Sequence, residues 1–475
     1  MSGNLHKEMS KGSGMTSVSE KLSLPIRIDS GGYVGHLDGV NVPLRFGVPL
    51  PRGRMIFPCE ARLLAPTGEV FPTQMIPLAK WPDGSVRWMR VDTIVRAQVG
   101  SRLSEMWRLE FECESEATDR QTPDHVPLQA GFTVFPNPSN GAAFAIAREA
   151  AIQESSLLAH VFMKTAKGSV RLGRSRNVQW ISHGPICHEC AMEGTFWGVP
   201  GLLWRLVLRV YPQLNAIHVK AMLRNTRRAR HRGGLWDLGD PGSILLREFG
   251  LHLDLRNPVE RLFWRATPTD AFHLVENRLS GGQSFSQESR TGQAVLWQIY
   301  QASSGGENWR SFNHVNAQGD VKIPFRGYRV RTPEGESSGH RADPMGCIQT
   351  EGLCWAFWMP SFWQEFPKRI DVSVQSATLA FLAENPQDVH ELQGGEQKTY
   401  SAWMVLSSGS DDPRETVASR LTGLGCGVTA QPELETAIAE LPAGLPSASH
   451  WRGSPLAEFA EEAAFGPKGL LAGRE

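Results

Sequence analysis

Alternation of apolar and polar residues along most of the chain restricts its fold more than any other sequence feature. Successive side chains of a β-strand point to opposite faces of a sheet, so such alternation predicts strands with one buried face. In the clearest run, four apolar residues alternate with four charged ones. The apolar residues are Trp107, Leu109, Phe111 and Cys113, and the charged residues are Arg108, Glu110, Glu112 and Glu114. Similar short runs, separated by Gly and Pro, extend from Leu24 to about Ser408, and they predict a mainly β protein.

Breaks in this pattern divide the chain. A length of 475 residues is too great for one ordinary core. Acidic residues and two prolines interrupt the strands between Glu114 and Pro127, and a helix start follows Ser408, with Asp412 as N-cap and Pro413 after it. We expect a disordered leader, a small β domain, a large β-sandwich and a helical tail, over residues 1–23, 24–115, 128–408 and 411–475.

Charge and cysteine content exclude several classes of protein. The 49 basic and 49 acidic residues balance, which argues against a nucleic-acid partner. No apolar run is long enough for a signal peptide or a membrane span, so no membrane partner is expected. Seven scattered cysteines suit a reducing compartment better than a disulfide framework, and we therefore predict a cytoplasmic protein.

Two compact motifs allow both a functional and a structural interpretation. Cys187 and Cys190, with His188 between them, are residue types that bind zinc. Residues three apart on a strand face opposite sides of the sheet, so ordinary strand cysteines are favoured. Neither a metal nor a cofactor is predicted.

The basic run 224–232 could bind an anionic polysaccharide or a phosphate, or it could be a solvated loop. Asp237 and Asp240, just beyond it, are candidate acids or turn residues.

The polar cluster between residues 305 and 399 carries the most chemistry. It gathers imidazole, guanidinium, amide, lysine and tyrosine side chains in the segments 305–316, 325–330, 340–341 and 390–399. Cleaving a uronate-linked sugar by β-elimination needs a cation at the C6 carboxylate, a base for the C5 proton and an acid for the departing O4. The alternative is structural, with Gly394 and Gly395 forming a turn and the polar residues capping strand ends.

Several segments resemble the exo-rhamnogalacturonan lyase family. Two of them, 46–53 (FGVPLPRG) and 81–88 (WPDGSVRW), resemble its opening RIFT-type β-barrel; the others resemble its central β-sandwich and are residues 236–243, 305–316, 325–330, 362–368 and 390–399. The resemblance covers about residues 25 to 408. It implies a carbohydrate-active protein, a polysaccharide lyase acting on uronate- and rhamnose-containing poly- or oligosaccharides. The family continues into a large α/α toroid, whereas here only residues 409–475 remain.

Roles within the cluster follow from residue chemistry. Arg326 and Arg341 are expected to bind the carboxylate, His314 or Tyr328 to transfer protons, and Trp309 to stack on a sugar ring. The remaining candidates for substrate binding are Arg310, Asn313, His390, Gln393 and Lys398. Without a toroid, the chain is either truncated, completed by a partner domain, or a non-catalytic carbohydrate-binding or assembly module. A glycoside hydrolase would need two paired carboxylates, and nothing in the sequence pairs Glu307, Glu391 and Glu396.

Overall fold

The computed structural model of the protein describes residues 22–29, 39–96, 106–112, 123–138, 141–148, 152–230, 238–277, 295–308, 315–407, 420–421, 423–424 and 429–432. These residues are arranged almost entirely in strands, which confirms the mainly β fold. The predicted leader lies almost wholly outside the described residues. Two short 3₁₀ turns, Ile152–Glu154 and Pro212–Leu214, connect strands.

Seven strands form a sheet that we call the barrel sheet. They are β1 (Ser23–Asp29), β2 (Asn41–Pro49), β3 (Glu60–Leu64), β4 (Val70–Lys80), β5 (Val86–Arg96), β6 (Met106–Glu112) and, from far along the chain, β27 (Thr429–Pro432). Their order is β2-β5-β4-β3-β6-β1-β27. The last strand also lies beside β2, so the sheet nearly closes on itself, as the predicted small barrel requires.

The barrel interior is built by the alternation seen in the sequence. Trp107, Leu109 and Phe111 of β6 are almost fully buried and belong to one hydrophobic cluster, while Arg108 is exposed. Register fixes this arrangement, because β6 pairs with β1 on one side and β3 on the other. The predicted inward face is therefore confirmed for the described part of the strand.

Twenty further strands form the large sandwich. They are β7 (Val126–Pro127), β8 (Phe132–Pro136), β9 (Phe144–Arg148), β10 (Ser155–Thr165), β11 (Val170–Ser182), β12 (His188–Phe196), β13 (Leu202–Tyr211), β14 (Ala216–Asn225), β15 (Ile244–Leu255), β16 (Val259–Arg265), β17 (His273–Glu276), β18 (Val295–Gln301), β19 (Tyr328–Thr332), β20 (Gly335–Gly339), β21 (Met345–Thr350), β22 (Leu353–Trp358), β23 (Lys368–Ser373), β24 (Ser376–Leu382), β25 (His390–Leu392) and β26 (Gln397–Ser407).

These strands pair into two antiparallel sheets. The front sheet has the order β17-β16-β21-β22-β26-β14-β13-β12-β11. The back sheet has the order β20-β19-β18-β23-β24-β15-β10-β9-β8-β7, with β25 also paired to β15. Strand β11 joins the two sheets, because its first residues pair with β10 and the rest with β12.

The core between the two sheets is aromatic and aliphatic. Tryptophans contribute much of its volume, and those buried in it are Trp204, Trp264, Trp297 and Trp355. Along β13, Leu206 and Leu208 point into the core while Val207 and Arg209 face outward, which confirms the predicted alternation. The outer face of the front sheet carries Arg205 and Arg209 on β13, and an apolar cluster on β21 and β22 that includes Met345, Cys347 and Trp358.

A buried charged network joins the barrel to that outer face. Glu189 of β12 is 3% exposed and accepts from three arginines: Arg45 at 3.0 Å, Arg90 at 2.8 Å and Arg209 at 2.9 Å. Asp92 binds the same Arg45 and Arg90 from the barrel side. Since Glu189 of the sandwich is shared between two barrel arginines and Arg209 of the sandwich, the network fixes how the barrel sits on the sandwich.

The region expected to be a helical tail is described only in part. Residues 420–421 and 423–424 are helical, and Leu421 packs on the outer face of the front sheet beside Ile94 of the barrel. Residues 429–432 form β27, a strand in a region where the sequence suggested helix. The predicted helix start at Asp412 lies outside the described residues. No helical segment among the described residues is long and apolar enough to cross a membrane.

Candidate functional site

The structure divides the polar cluster of the sequence into two places. One is a turn at residues 304–306 that is surrounded by Arg326, His340 and Arg341, and we call it the arginine site. The other is a cleft near His390 and Lys398. The candidates Trp309, Arg310, Asn313 and His314 lie outside the described residues, as do Trp236 and Asp237.

Basic side chains converge on two adjacent carbonyl groups in the arginine site. The carbonyl oxygen of Gly305 accepts from Nε of Arg326 at 3.1 Å, and Nδ1 of His340 lies 3.3 Å from the same oxygen. The Ser304 carbonyl accepts from Nε of Arg341 at 3.2 Å. Each arginine is thus tethered through Nε, which leaves the two terminal Nη groups directed away from the tether.

Glycines make the turn possible. Gly305 has a φ of +73° and Gly327 a φ of +72°, which is the left-handed region that favours glycine. At both positions a Cβ atom would collide with backbone, against the His340 carbonyl in the first case and the Gly339 carbonyl in the second. The Gly-rich sequence of this segment therefore has a structural cause, because two chain segments cross there almost in contact.

Buried polar side chains hold the crossing together. Gln301 is fully buried; its amide nitrogen donates to the carbonyls of Ser303 at 2.6 Å and His340 at 2.9 Å, and its oxygen accepts from the Ala342 amide at 2.9 Å. The Ser303 hydroxyl accepts from the Gly327 amide at 2.8 Å. Since these groups are satisfied and out of water, they form a rigid base for the exposed arginines.

Trp363 supports one of the arginines. The Arg341 guanidinium lies over the indole ring of Trp363, 4.3 Å from its centroid, a geometry typical of cation–π stacking. Neither Arg326 nor Arg341 forms an ion pair with a carboxylate in the described part of the chain. A stacked guanidinium with open Nη groups is arranged to bind a carboxylate or another oxyanion.

Tyr328 begins β19 beside the arginine site. Its ring packs against the sandwich core and over Gly339, where a Cβ would meet the phenol at 2.5 Å. Burial raises the pKa of Tyr328, and the field of Asp270 adds to the increase. The phenol is therefore protonated at neutral pH, and it can remove a proton from a substrate only after losing its own.

The second place is a cleft of about 530 Å³ at one end of the sandwich. Its walls come from the loops around Gly239, Asn316 and Asn385 and from the start of β25. His390 lines it, but its Nε2 lies 2.6 Å from the Ala383 carbonyl and so must donate to it, and burial lowers the pKa of the imidazole. His390 is accordingly neutral and tied to backbone.

Other polar groups of this cleft are also used internally. Lys398 pairs with Glu396 at 2.9 Å, and the other carboxylate oxygen of Glu396 accepts from the Gln393 amide at 2.8 Å. Glu391 accepts from the Gly239 amide at 2.7 Å and the Ser243 hydroxyl at 2.6 Å. These carboxylates hold loops, which supports the structural interpretation of Glu391 and Glu396 over a hydrolase pair.

Two motifs singled out in the sequence are structural. Cys190 points into the sandwich core, whereas Cys187 lies among the residues on the outer face of the front sheet, so the two thiols face opposite sides and cannot share one ion. The described residues contain no group of three or more metal-binding side chains. Asp240 accepts from the amides of Arg230 and Gly242, both at 2.7 Å, and is therefore a turn residue.

One arginine of the basic run 224–232 has a structural role. Arg227 donates to the Pro200 carbonyl through Nε at 3.1 Å and Nη2 at 2.8 Å, and thereby locks the turn between β12 and β13. Sequence reasoning had not assigned a role to Trp363, although the segment 362–368 carried the family resemblance. The only sequence signal for this role is the tryptophan itself, since a stacked arginine needs a flat aromatic partner.

Comparison with known proteins identifies the first domain. Residues 35–103 match the family model described as the PcRGLX-like N-terminal RIFT barrel domain, which confirms the resemblance for the barrel. No curated protein matches the sequence at a significant level.

Solved structures resemble the chain only distantly. An alpha-mannosidase from Enterococcus faecalis shares 9% identity over 86% of this chain and 46% of its own, with a TM-score of 0.47. A galactose mutarotase related enzyme from Lactobacillus acidophilus shares 8% over 61% and 98%, with a TM-score of 0.29. A GH36 alpha-galactosidase from Geobacillus stearothermophilus shares 10% over 60% and 40%, with a TM-score of 0.34. The chain spans less than half of the mannosidase, and scores this low carry no inference about function.

Proposed function

We propose that this protein is carbohydrate-active and that the arginine site binds the carboxylate groups of an acidic poly- or oligosaccharide. The observation that carries the proposal is the pair Arg326 and Arg341, tethered through Nε to adjacent carbonyls with their Nη groups open. Pre-ordered guanidinium groups lose little side-chain entropy on binding and recognise carboxylates with two parallel hydrogen bonds. The match of residues 35–103 to a barrel domain of a lyase-type family supports the same ligand class.

The proposed chemistry is β-elimination at a uronate, with rhamnose-containing polysaccharide as the substrate class. Arg326 and Arg341 would neutralise the C6 carboxylate and so stabilise the carbanion that forms when the C5 proton leaves. Tyr328, which stays protonated, would serve as the acid that protonates the departing O4. His314 remains our proposed base, with Trp309, Arg310 and Asn313 beside it in the sequence as sugar contacts.

The cleft near His390 is the weaker part of this proposal. Gln393 and Lys398 were expected to bind substrate, yet Lys398 already pairs with Glu396, and His390 is bound to backbone. A ligand there would have to compete with those contacts, at a cost of about 1 kcal/mol for each hydrogen bond exchanged. We therefore place the first recognition event at the arginine site.

A second candidate function is a non-catalytic carbohydrate-binding or assembly module. One observation favours it, since the Arg326 and Arg341 side chains are exposed at the protein surface. An elimination site usually excludes water to strengthen its electrostatic interactions. Binding without turnover would suit such an open surface, and a toroid supplied by further sequence or by a partner would convert it into a cleft.

No disulfide joins any two of the five described cysteines, which supports the reducing, cytoplasmic location that we propose. Such a location would suit a protein that acts on imported fragments of the polysaccharide.

The test measures binding and turnover together. The purified chain is titrated with rhamnogalacturonan oligosaccharides by calorimetry, and ultraviolet absorbance of new unsaturated uronate is followed in parallel. We expect the Arg326→Ala/Arg341→Ala double variant to lose at least about tenfold in affinity, because hydrogen bonds to charged groups contribute about 1.5–3 kcal/mol. Arg329→Ala is the matched control, since Arg329 is an exposed arginine of the same segment that stacks on Phe325.

The outcomes separate the two candidates. Binding with new absorbance supports the lyase, and binding without absorbance supports the module. Equal affinities of the double variant, the control variant and the wild-type protein would show that the arginine site does not hold the carboxylate.

A further inference from the structure

The outer face of the front sheet, beyond the edge of the barrel, carries a second concentration of positive charge. Register places its side chains in rows across the strands. In the first row, Leu203 of β13 lies opposite Arg224 of β14 and Thr195 of β12, and Thr195 lies opposite Arg174 of β11. In the next row Arg205 of β13 lies between Glu193 of β12 and Met222 of β14.

The third row contains Lys220, and the fourth is the buried network of Glu189 and Arg209 beneath the barrel. Rows two residues apart are about 6.7 Å apart along a strand. Cations thus recur in every row from the open end of the sheet to the barrel: Arg224, Arg205, Lys220 and then Arg209. We call the first three rows, with the exposed Arg176 of β11, the basic face.

The charge of this face is uncompensated. Arg174, Arg176, Lys220 and Arg224 form no ion pair or hydrogen bond with any side chain in the described part of the chain. Only Arg205 has an acidic partner, Glu193 at 3.1 Å, and that carboxylate is 61% exposed. Five cations therefore face one carboxylate on a single sheet surface.

The pKa of Lys220 reflects the excess of cations on this face. Burial lowers the pKa of the Lys220 ammonium, and the positive charges of Arg209 and Arg45 lower it further, while the negative charge of Glu189 offsets part of this effect. A bound anion would reverse the second effect, because an opposite charge within a few ångströms favours the charged form of an amine. The face therefore gains electrostatic free energy when an anion binds.

The shape and chemistry of the face select among anions. Five neighbouring strands, β11 to β14 and β26, span about 19 Å at the usual interstrand spacing, which suits an extended chain more than a small ion. Between the cations lie hydroxyl groups, including those of Thr399 and Ser401, that can bond to sugar hydroxyls. Aromatic residues are missing from the described side chains of these three rows, so the face lacks the aromatic platforms on which bases of single-stranded nucleic acid usually stack.

We propose that the basic face binds an extended segment of an acidic polysaccharide, outside the arginine site. The choice of a glycan over other polyanions rests on the proposed function, while the anion-binding surface itself rests on register and charge. The face would hold the polymer chain, and the arginine site would hold the carboxylate of the sugar unit that is recognised.

Polygalacturonate is the probe, measured by surface plasmon resonance at several salt concentrations. The Lys220→Ala/Arg224→Ala variant should bind at least tenfold more weakly than wild type at low salt and depend less steeply on salt. The control, Arg108→Ala/Arg256→Ala, removes the same charge from exposed positions elsewhere and should bind like wild type. Urea unfolding of each variant verifies that the fold is kept.

Three results would overturn the proposal. These are no binding of polygalacturonate to the wild-type protein, equal losses in the basic-face and control variants, and equal affinity for a single-stranded oligonucleotide of the same charge. The Arg326→Ala/Arg341→Ala variant separates this proposal from the previous one. If that variant loses short oligosaccharides but keeps the polymer, the two sites are independent; if it keeps both, the arginine site fails while the basic face stands.

Discussion

Replacing Glu189 by Gln should destabilise the protein more than any other single change of charge at the junction of barrel and sandwich. The carboxylate is almost fully buried and accepts from Arg45, Arg90 and Arg209 at 2.8–3.0 Å. Its neutral amide would leave three guanidinium groups facing one remaining carboxylate, Asp92, in a site that excludes water. The amide nitrogen that replaces one carboxylate oxygen would also point a donor at the guanidinium donors.

The expected loss is about 3–5 kcal/mol, the range measured when one partner of a buried ion pair is removed. The three hydrogen bonds do not add independently, because the arginines share Glu189 with Asp92. Against a total stability of about 5–15 kcal/mol, such a loss removes a large fraction of the folded state's margin. The effect should concentrate at the contact between the two domains.

Urea unfolding, followed by tryptophan fluorescence and by hydrogen exchange of the β5 and β12 amides, measures the loss. Glu193→Gln is the matched control, since Glu193 lies on the same strand but pairs with Arg205 while 61% exposed. We expect that control to cost less than about 1 kcal/mol. If the two variants unfold at the same urea concentration, the buried network does not secure the barrel and the reasoning is wrong.

The same carboxylate predicts a dependence on pH. Burial alone would raise the pKa of Glu189, but the three arginines outweigh it and hold the pKa below its ordinary value of 4.5. The stabilisation is therefore complete above that ordinary value and is lost as pH falls through the lower value of the folded state. Between neutral pH and pH 3, wild type should lose more stability than Glu189→Gln, and parallel curves would contradict this.

Three further predictions concern single positions. Gly305→Ala should cost about 2–4 kcal/mol in urea unfolding, because a Cβ there meets backbone as well as positive φ; Gly319→Ala, at positive φ in open space, should cost only about 1–2. Burial raises the pKa of the Cys187 and Cys190 thiols to about 12, so mass spectrometry should find neither alkylated by iodoacetamide at pH 8 without denaturant, and rapid labelling would contradict their burial. Asn225→Leu should cost about 3 kcal/mol, since its buried amide makes three hydrogen bonds to backbone; an unchanged urea midpoint would refute this.

Local patterns account for most of what could be predicted from the sequence. A strand with one buried face can be recognised in the sequence because its apolar and polar residues alternate. This two-residue period is a property of the strand alone. Trp107, Leu109 and Phe111 illustrate this in the barrel, as Leu206 and Leu208 do in the sandwich. The opposite placement of Cys187 and Cys190 followed from the same period and removed a zinc site from consideration.

Contacts between distant segments could not be predicted in this way. The arginine site depends on the near collision of Gly305 with His340, and on Trp363 lying beneath Arg341. Neither relation has a local signature, since each needs the sandwich to bring two segments together. The cluster of polar residues in the sequence was therefore found as one region, although the structure resolves it into a turn and a separate cleft whose polar groups are already bonded.

The strand β27 is a second case, with a different consequence. Only four residues long and ending in Pro432, it offers no alternation to detect, yet it pairs with β1 through contacts such as Ile28 with Ala430. The first strand of the barrel must therefore wait for a partner that the ribosome makes about 400 residues later, at about 5–20 residues per second. Until that strand is made, one edge of β1 lacks the partner it has in the folded protein, and the backbone groups of that edge stay open to pairing with another chain.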